Sequence, residues 1–121
     1  MIQPQITNRF EGKIVAITGG AGDIGRVITL TFVREGANVS IGDINFDRAK
    51  KVAEEARSAG PGSAEAFLLD VTSLDSIHTW IDKTVEKFGG LDILVNTAAL
   101  MPPIKSSLEI TEEEWDKTHI R

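Results

Sequence analysis

The sequence contains no cysteine and no tyrosine. Without cysteine, disulfides, thiolate zinc sites, iron–sulfur clusters and a cysteine nucleophile are excluded. Without tyrosine, no phenolic acid or base is present among these residues. The first ten residues, MIQPQITNRF, lack the apolar stretch of a signal peptide. No apolar run approaches the roughly 20 residues of a membrane span. The formal net charge is −5, so a net basic field that would hold nucleic acid is missing. A soluble, cytoplasmic protein with no nucleic-acid and no membrane partner is expected.

What is present fits one globular domain. Of 121 residues, 41% are hydrophobic and 26% charged, ordinary for a folded soluble domain. Residues 1–12 read as a polar lead-in to a domain over 13–121. KIVAIT (13–18) is a short β-branched run ended by glycines, as for a strand buried on both faces. From Ile24 to Glu35 the residues Ile24, Val27, Ile28 and Phe32 recur at helical spacing, and Gly36 is a stop signal. NVSIGD (38–43) predicts a second strand and 46–59 a second helix, rich in Ala, Lys, Glu and Arg. AEAFLLD (64–70) predicts a third strand. Residues 73–88 predict an amphipathic helix carrying Leu74, Ile77, Ile81, Val85 and Phe88. LDILVN (91–96) predicts a fourth strand. Thr111 and Glu114 have capping-box spacing, so a last helix carrying Trp115 is expected there. This β-α-β-α-β-α-β-α alternation argues an α/β fold, a doubly wound parallel sheet.

Between the first strand and first helix stands Thr18-Gly19-Gly20-Ala21-Gly22-Asp23-Ile24-Gly25. Gly20, Gly22 and Gly25 fit G-x-G-x-x-G in the strand-to-helix context that gives the motif meaning. Such glycines allow a tight turn, a close backbone approach to a pyrophosphate, and close helix–strand packing. The helix N-terminus then offers N–H groups to the anion. Asp43 ends the second strand about 20 residues on, where a carboxylate accepts from the ribose 2′-OH of NAD and repels a 2′-phosphate. NAD is therefore favoured over NADP; the bland alternative is a capping or solvated carboxylate. Asp70 and Asn96 end the third and fourth strands, where ligands of open α/β sheets bind, or where turn and cap residues sit.

The segments FEGKIVAITGGAGDIGR, VSIGDIN, LLDVTS and GGLDILVNTAALM, in this order and spacing, resemble the short-chain dehydrogenase/reductase family from about Phe10 to Arg121. The resemblance implies a Rossmann-like sheet truncated to about four strands of the family's seven, in order 3-2-1-4, incomplete at the C-terminus. It implies a pyrophosphate loop of Gly19, Gly22 and Gly25, with Ile24 beside the nicotinamide end. Asp43 would hold the adenosine ribose, with Ile44 near the adenine. Asp70 would accept from the adenine amino group, Val71 would flank the ring, and Asn96 and Ala98 would border the cofactor at the fourth strand. Two departures stand out. Asp23 occupies the second glycine of TGxxxGxG, so the loop reads TGxxGxxG; Asp23 is expected to cap the helix with help from Arg26. The family's NNAG appears as Asn96-Thr97-Ala98-Ala99.

The resemblance also implies an NAD-dependent oxidoreductase moving hydride between NAD and a secondary alcohol or ketone, and a homo-oligomer. Its catalytic Ser and Tyr-x-x-x-Lys would lie downstream of Arg121, so no catalytic residue is assigned and the chain alone is expected to be inactive. His78, His119, Trp80 and Trp115 are read as packing or solvated helix residues. Glu112-Glu113-Glu114 is read as a helix start and not a metal site, and Met101-Pro102-Pro103 as a rigid loop. The alternatives are a non-catalytic dinucleotide-binding module or truncated inactive product, and a receiver-type signalling domain phosphorylated on Asp70. The last lacks an acidic pair after the first strand.

Overall fold

The computed structural model describes residues 9–97. The elements run β1 (Ile14–Thr18), α1 (Asp23–Arg34), β2 (Asn38–Asp43), α2 (Phe46–Arg57), β3 (Ser63–Leu68), α3 (Leu74–Phe88) and β4 (Ile93–Asn96). The four strands form one parallel sheet in the order β3-β2-β1-β4. This is the expected doubly wound α/β, Rossmann-like arrangement. Among the described residues no helix is long and apolar enough to cross a membrane. Ala98, Met101, Trp115, His119, the Glu112–Glu114 cluster and the expected last helix lie outside the described residues.

β1 is buried along its whole length because it has strands on both sides and helices on both faces. Val15 and Ile17 face α1 and α2, with Val39 and Ile41 of β2 alongside. Ala16 faces the other way, toward Trp80 and Ile81 of α3. Burying each Val or Ile here contributes on the order of 1.5–3 kcal/mol. α2 lies close to the sheet because its inner face, Ala49, Val52, Ala53 and Ala56, is built of small residues. Residues 9–12 are fastened to the domain: the Phe10 N–H donates to the Glu35 carbonyl at 3.1 Å, and the Phe10 ring meets Phe32 edge-on at 5.0 Å.

Three boundaries differ from the sequence reading. β3 ends at Leu68, not Asp70, because the chain turns out of the ladder once the Leu69 N–H has reached the Asp43 carbonyl. β4 begins at Ile93, because Asp92 pairs through its side chain, accepting the Ile14 N–H at 2.8 Å. α2 ends at Arg57 and Ser58 caps it. The buried stripe of α1 also differs. Ile24 and Val27 are 69% and 57% exposed, and the buried residues are Gly25, Thr29, Leu30 and Val33. Ile28 and Phe32 pack partly against the core. The phase of this helix is set by the contact of Gly25 with the loop beneath it, which turns Ile24 and Val27 outward.

Candidate functional site

The turns at the carboxyl ends of the strands converge on a cleft of about 510 Å³, within the range of small-molecule sites. Its floor is the glycine loop. Gly19 has φ +72°, a conformation other residues rarely adopt, and its N–H donates to the Gly42 carbonyl at 2.7 Å. A Cβ on Gly25 would lie 2.1 Å from the Gly19 carbonyl oxygen, so α1 begins as near the loop backbone as a helix can. Gly22 is the N-cap, with extended backbone and no side-chain hydrogen bond. α2 and α3 are capped by the side chains of Asn45 and Ser73. No side chain caps the first turn of α1, and uncapped helix N–H groups are of the kind that can hold an anion.

Asp23 does not cap, contrary to expectation. It is the first residue of α1 and exposed, so its carboxylate acts at a distance, through the helix dipole and on the Arg26 charge. Arg26 does not assist it either. The Arg26 guanidinium turns to Glu55 of α2, with Nε 2.9 Å from Oε1 and Nη2 on Oε2. That hydrogen bond raises the Arg26 pKa and lowers that of Glu55.

Asp43 ties the second strand to the loop. Its Oδ2 accepts the Ala21 N–H at 3.0 Å and its Oδ1 accepts the Asn45 N–H at 2.9 Å. Each oxygen keeps a lone pair for a further donor. Ile44 follows, 67% exposed at the cleft mouth. The facing wall is Asp70, Val71 and Thr72. Asp70 Oδ1 accepts from the Thr72 hydroxyl at 2.6 Å and from the Thr72 N–H at 3.0 Å. The Thr72 side-chain bond, then the backbone bond, holds the Asp70 carboxyl below its ordinary value. Asn96 accepts the Thr18 hydroxyl at 2.6 Å, binding β4 to β1.

Of the residues expected from sequence, Gly19, Gly22, Asp43, Ile44, Asp70 and Val71 line this one cleft. Gly25 supports it from below, and Asp23 and Ile24 stand exposed where α1 begins. Five lining residues escaped the sequence reading: Gly42, Arg48, Leu69, Thr72 and Thr97. The Thr97 hydroxyl donates to the Thr18 carbonyl at 2.6 Å and lies 3.2 Å from that of Gly19. Its signal was its place in the Asn96-Thr97-Ala98-Ala99 segment. His78 and Trp80 of α3 do not line the cleft: His78 is exposed, and Trp80 is buried beneath it, close to Gly42 and Leu69.

Comparison with known proteins agrees with this geometry. A family model described as short chain dehydrogenase matches residues 13–120. A 3-oxoacyl-(acyl-carrier-protein) reductase of Thermotoga maritima is 39% identical over 108 residues, covering 89% of this chain and 43% of the reductase. The crystal structure of a short chain dehydrogenase from Mycobacterium smegmatis superposes with TM-score 0.74 at 36% identity, covering 95% of this chain and 49% of that one. A 7α-hydroxysteroid dehydrogenase complexed with NADH and 7-oxo glycochenodeoxycholic acid superposes with TM-score 0.70 at 39% identity, over 74% of this chain and 34% of that one. The chain thus spans less than half the length of each of these three.

Proposed function

The chain belongs to the short-chain dehydrogenase family, and on that premise we propose that its cleft holds NAD for an oxidoreductase acting on a secondary alcohol or ketone. The observation that carries the cofactor reading is Asp43. Its carboxylate stands at the edge of the cleft with a lone pair free on each oxygen, placed to accept from ribose hydroxyls. The first turn of α1, capped by no side chain, receives the pyrophosphate, with Gly19 and Gly22 letting the backbone come close. Asp70 and Val71 form one wall of the adenine slot and Ile44 the other. Ile24, exposed at the start of α1, borders the nicotinamide end, and Asn96, the last residue of β4, borders the cofactor. The NADH carried by the hydroxysteroid dehydrogenase favours the same assignment.

When bound, the nicotinamide supplies or accepts the hydride. The residues of this chain bind and orient the dinucleotide; none is a base or acid for the substrate. The sequence holds no tyrosine, so a chain that binds without turning over is the expected behaviour, with hydride transfer belonging to an assembly that adds a proton donor. A homo-oligomeric, cytoplasmic enzyme with a small-molecule substrate completes the reading.

The test is a thermal melt of the 121-residue chain with and without NADH. A ligand that binds only the folded state stabilises by about 2.7 kcal/mol at 100 times its Kd. A rise in Tm with NADH, and none with Asp43→Ala, supports the reading. A cooperative melt indifferent to NADH overturns it, and turnover of an alcohol by this chain alone overturns the inactive assignment.

A further inference from the structure

β3 ends the sheet on its side, paired only with β2 among the described residues. The Ser63 and Leu69 N–H groups donate to the Ala37 and Asp43 carbonyls. Main-chain groups alternate sides along a strand, so Ala64, Ala66 and Leu68 turn theirs outward. Arg57 Nη1 donates to the Ala64 carbonyl at 2.6 Å. The outward groups of Ala66 and Leu68 have no hydrogen-bond partner among the described residues. Beside this edge runs a groove of about 380 Å³, walled by Phe46, Lys50, Ala53 and Arg57 of α2 and floored by Ala64 and Ala66. Its lining holds three cations, Lys50, Arg57 and Lys87, against Glu54 and Glu65, in a chain of net charge −5. Glu65 already faces Lys87 at 3.9 Å. Lys50 lies over the Phe46 ring at 5.6 Å and has no carboxylate partner among the described residues. Since the end of α2 meets the start of β3 through Arg57, Phe46 and Leu68 fall together at the other end, 39% and 61% exposed.

We infer that this groove is a docking site for an extended, acidic segment of a partner polypeptide, added antiparallel to the outer edge of β3. Strand addition supplies the hydrogen bonds that Ala66 and Leu68 lack, and the antiparallel ladder is the more stable kind. Residues opposite one another in such a pair share a face of the sheet. The segment residue opposite Ala66 therefore exchanges both main-chain bonds with it and turns its side chain toward α2, where a carboxylate meets Lys50. Two residues earlier, opposite Leu68, an apolar side chain covers Leu68 and Phe46. Strand residues two apart are separated by about 6.8 Å and helix residues four apart by about 6 Å. An apolar-x-acidic segment thus reaches Phe46 and Lys50 in register. Arg57, on the Ala64 carbonyl, ends the pairing at the far side.

The probe is the peptide acetyl-Thr-Val-Thr-Glu-Thr-amide, titrated into the 121-residue chain and followed by NMR of the backbone amides. A Kd of about 1 mM or tighter is expected. The Ala66 and Leu68 amides shift and gain protection from exchange, while those of Glu65 and Phe67, which face β2, do not. N-methylation at the probe's Glu, whose N–H faces β3, is expected to weaken binding about tenfold or more. N-methylation at the central Thr, whose N–H faces away, is expected to weaken it less than about twofold. Replacing the probe's Glu by Gln, or Lys50→Ala in the protein, each weakens binding about two- to fivefold, and both together no more than either alone. The inference is overturned if the Ala66 and Leu68 amides do not respond, if the two N-methylated probes bind equally, or if the Gln probe binds as tightly as the Glu probe. Protection of these amides that rises with protein concentration in the absence of probe assigns the edge to a second copy of the chain and overturns it as well.

Discussion

Gly25 is the position where one methyl group decides the most. With a Cβ 2.1 Å from the Gly19 carbonyl oxygen, Gly25→Ala must push α1 off the loop. We expect it to cost at least the about 1–3 kcal/mol of an overpacked core and to abolish the NADH-dependent rise in Tm. Thr29 has the opposite problem. Its hydroxyl is buried without a hydrogen-bond partner, so Thr29→Val is expected to stabilise the chain by about 1 kcal/mol in urea melts. Asp70 gives the pH prediction. Its folded pKa is lowered by the Thr72 hydroxyl and then by the Thr72 N–H. Its contribution to stability is therefore complete above the unfolded carboxylate pKa and is lost as pH falls through the depressed folded one. Thr72→Val should move the Asp70 midpoint back up, as read by NMR of the carboxyl carbon. At this scale the sequence was legible where backbone geometry demands glycine: Gly19, with its positive φ, and Gly25, where a Cβ has no room. It was not legible where a side chain's direction decides. Arg48 and Thr97 turn into the cleft, and Asp23 stands beside a helix end it does not cap; residue spacing encodes none of these directions.

Elements were easier to read than their orientations. The β-branched runs and helical periods marked all seven described elements, since burial on both faces and amphipathic repetition leave strong patterns. The phase of α1 was hidden, because a glycine contact outweighs the apolar count of its faces. The cross-element network of α3 and β2 was hidden too. The Trp80 indole N–H donates to Ser40 Oγ at 2.9 Å, Ser40 lies 2.7 Å from the Thr84 hydroxyl, and Thr84 donates to the Trp80 carbonyl at 2.8 Å. The indole can only donate and the Thr84 proton is already used, so Ser40 must donate to Thr84. Ser40→Ala leaves the indole N–H buried without an acceptor, and should cost about 1–3 kcal/mol. Adding Trp80→Phe removes the stranded donor, so the double variant should lose less than the two single losses added together. Urea denaturation of the four proteins of that cycle measures it.

For the molecule as a whole, the order β3-β2-β1-β4 followed from strand–helix alternation together with the family resemblance. Among the described residues β4 pairs on one side only, with β1, and its Ile93, Leu94 and Val95 are half-buried. An open row of strand N–H and C=O groups templates another chain. We expect the 121-residue chain to sediment as a dimer or larger at micromolar concentration; a dimer fraction under about 5% would count against this. The ties between β1 and β4 also bear on time. Ile14 meets Asp92, and Thr18 meets Asn96, across 78 residues of chain. Closing a loop of about that length costs roughly 4 kcal/mol of chain entropy before any contact repays it. β1 thus waits, one flank bare, for β4, the last of the four described strands to be synthesised. Refolding should be limited by the arrival of β4, and β4 amides should exchange with deuterium sooner than those of β2. A nascent chain owns its glycine loop long before it owns the wall that turns the loop into a pocket.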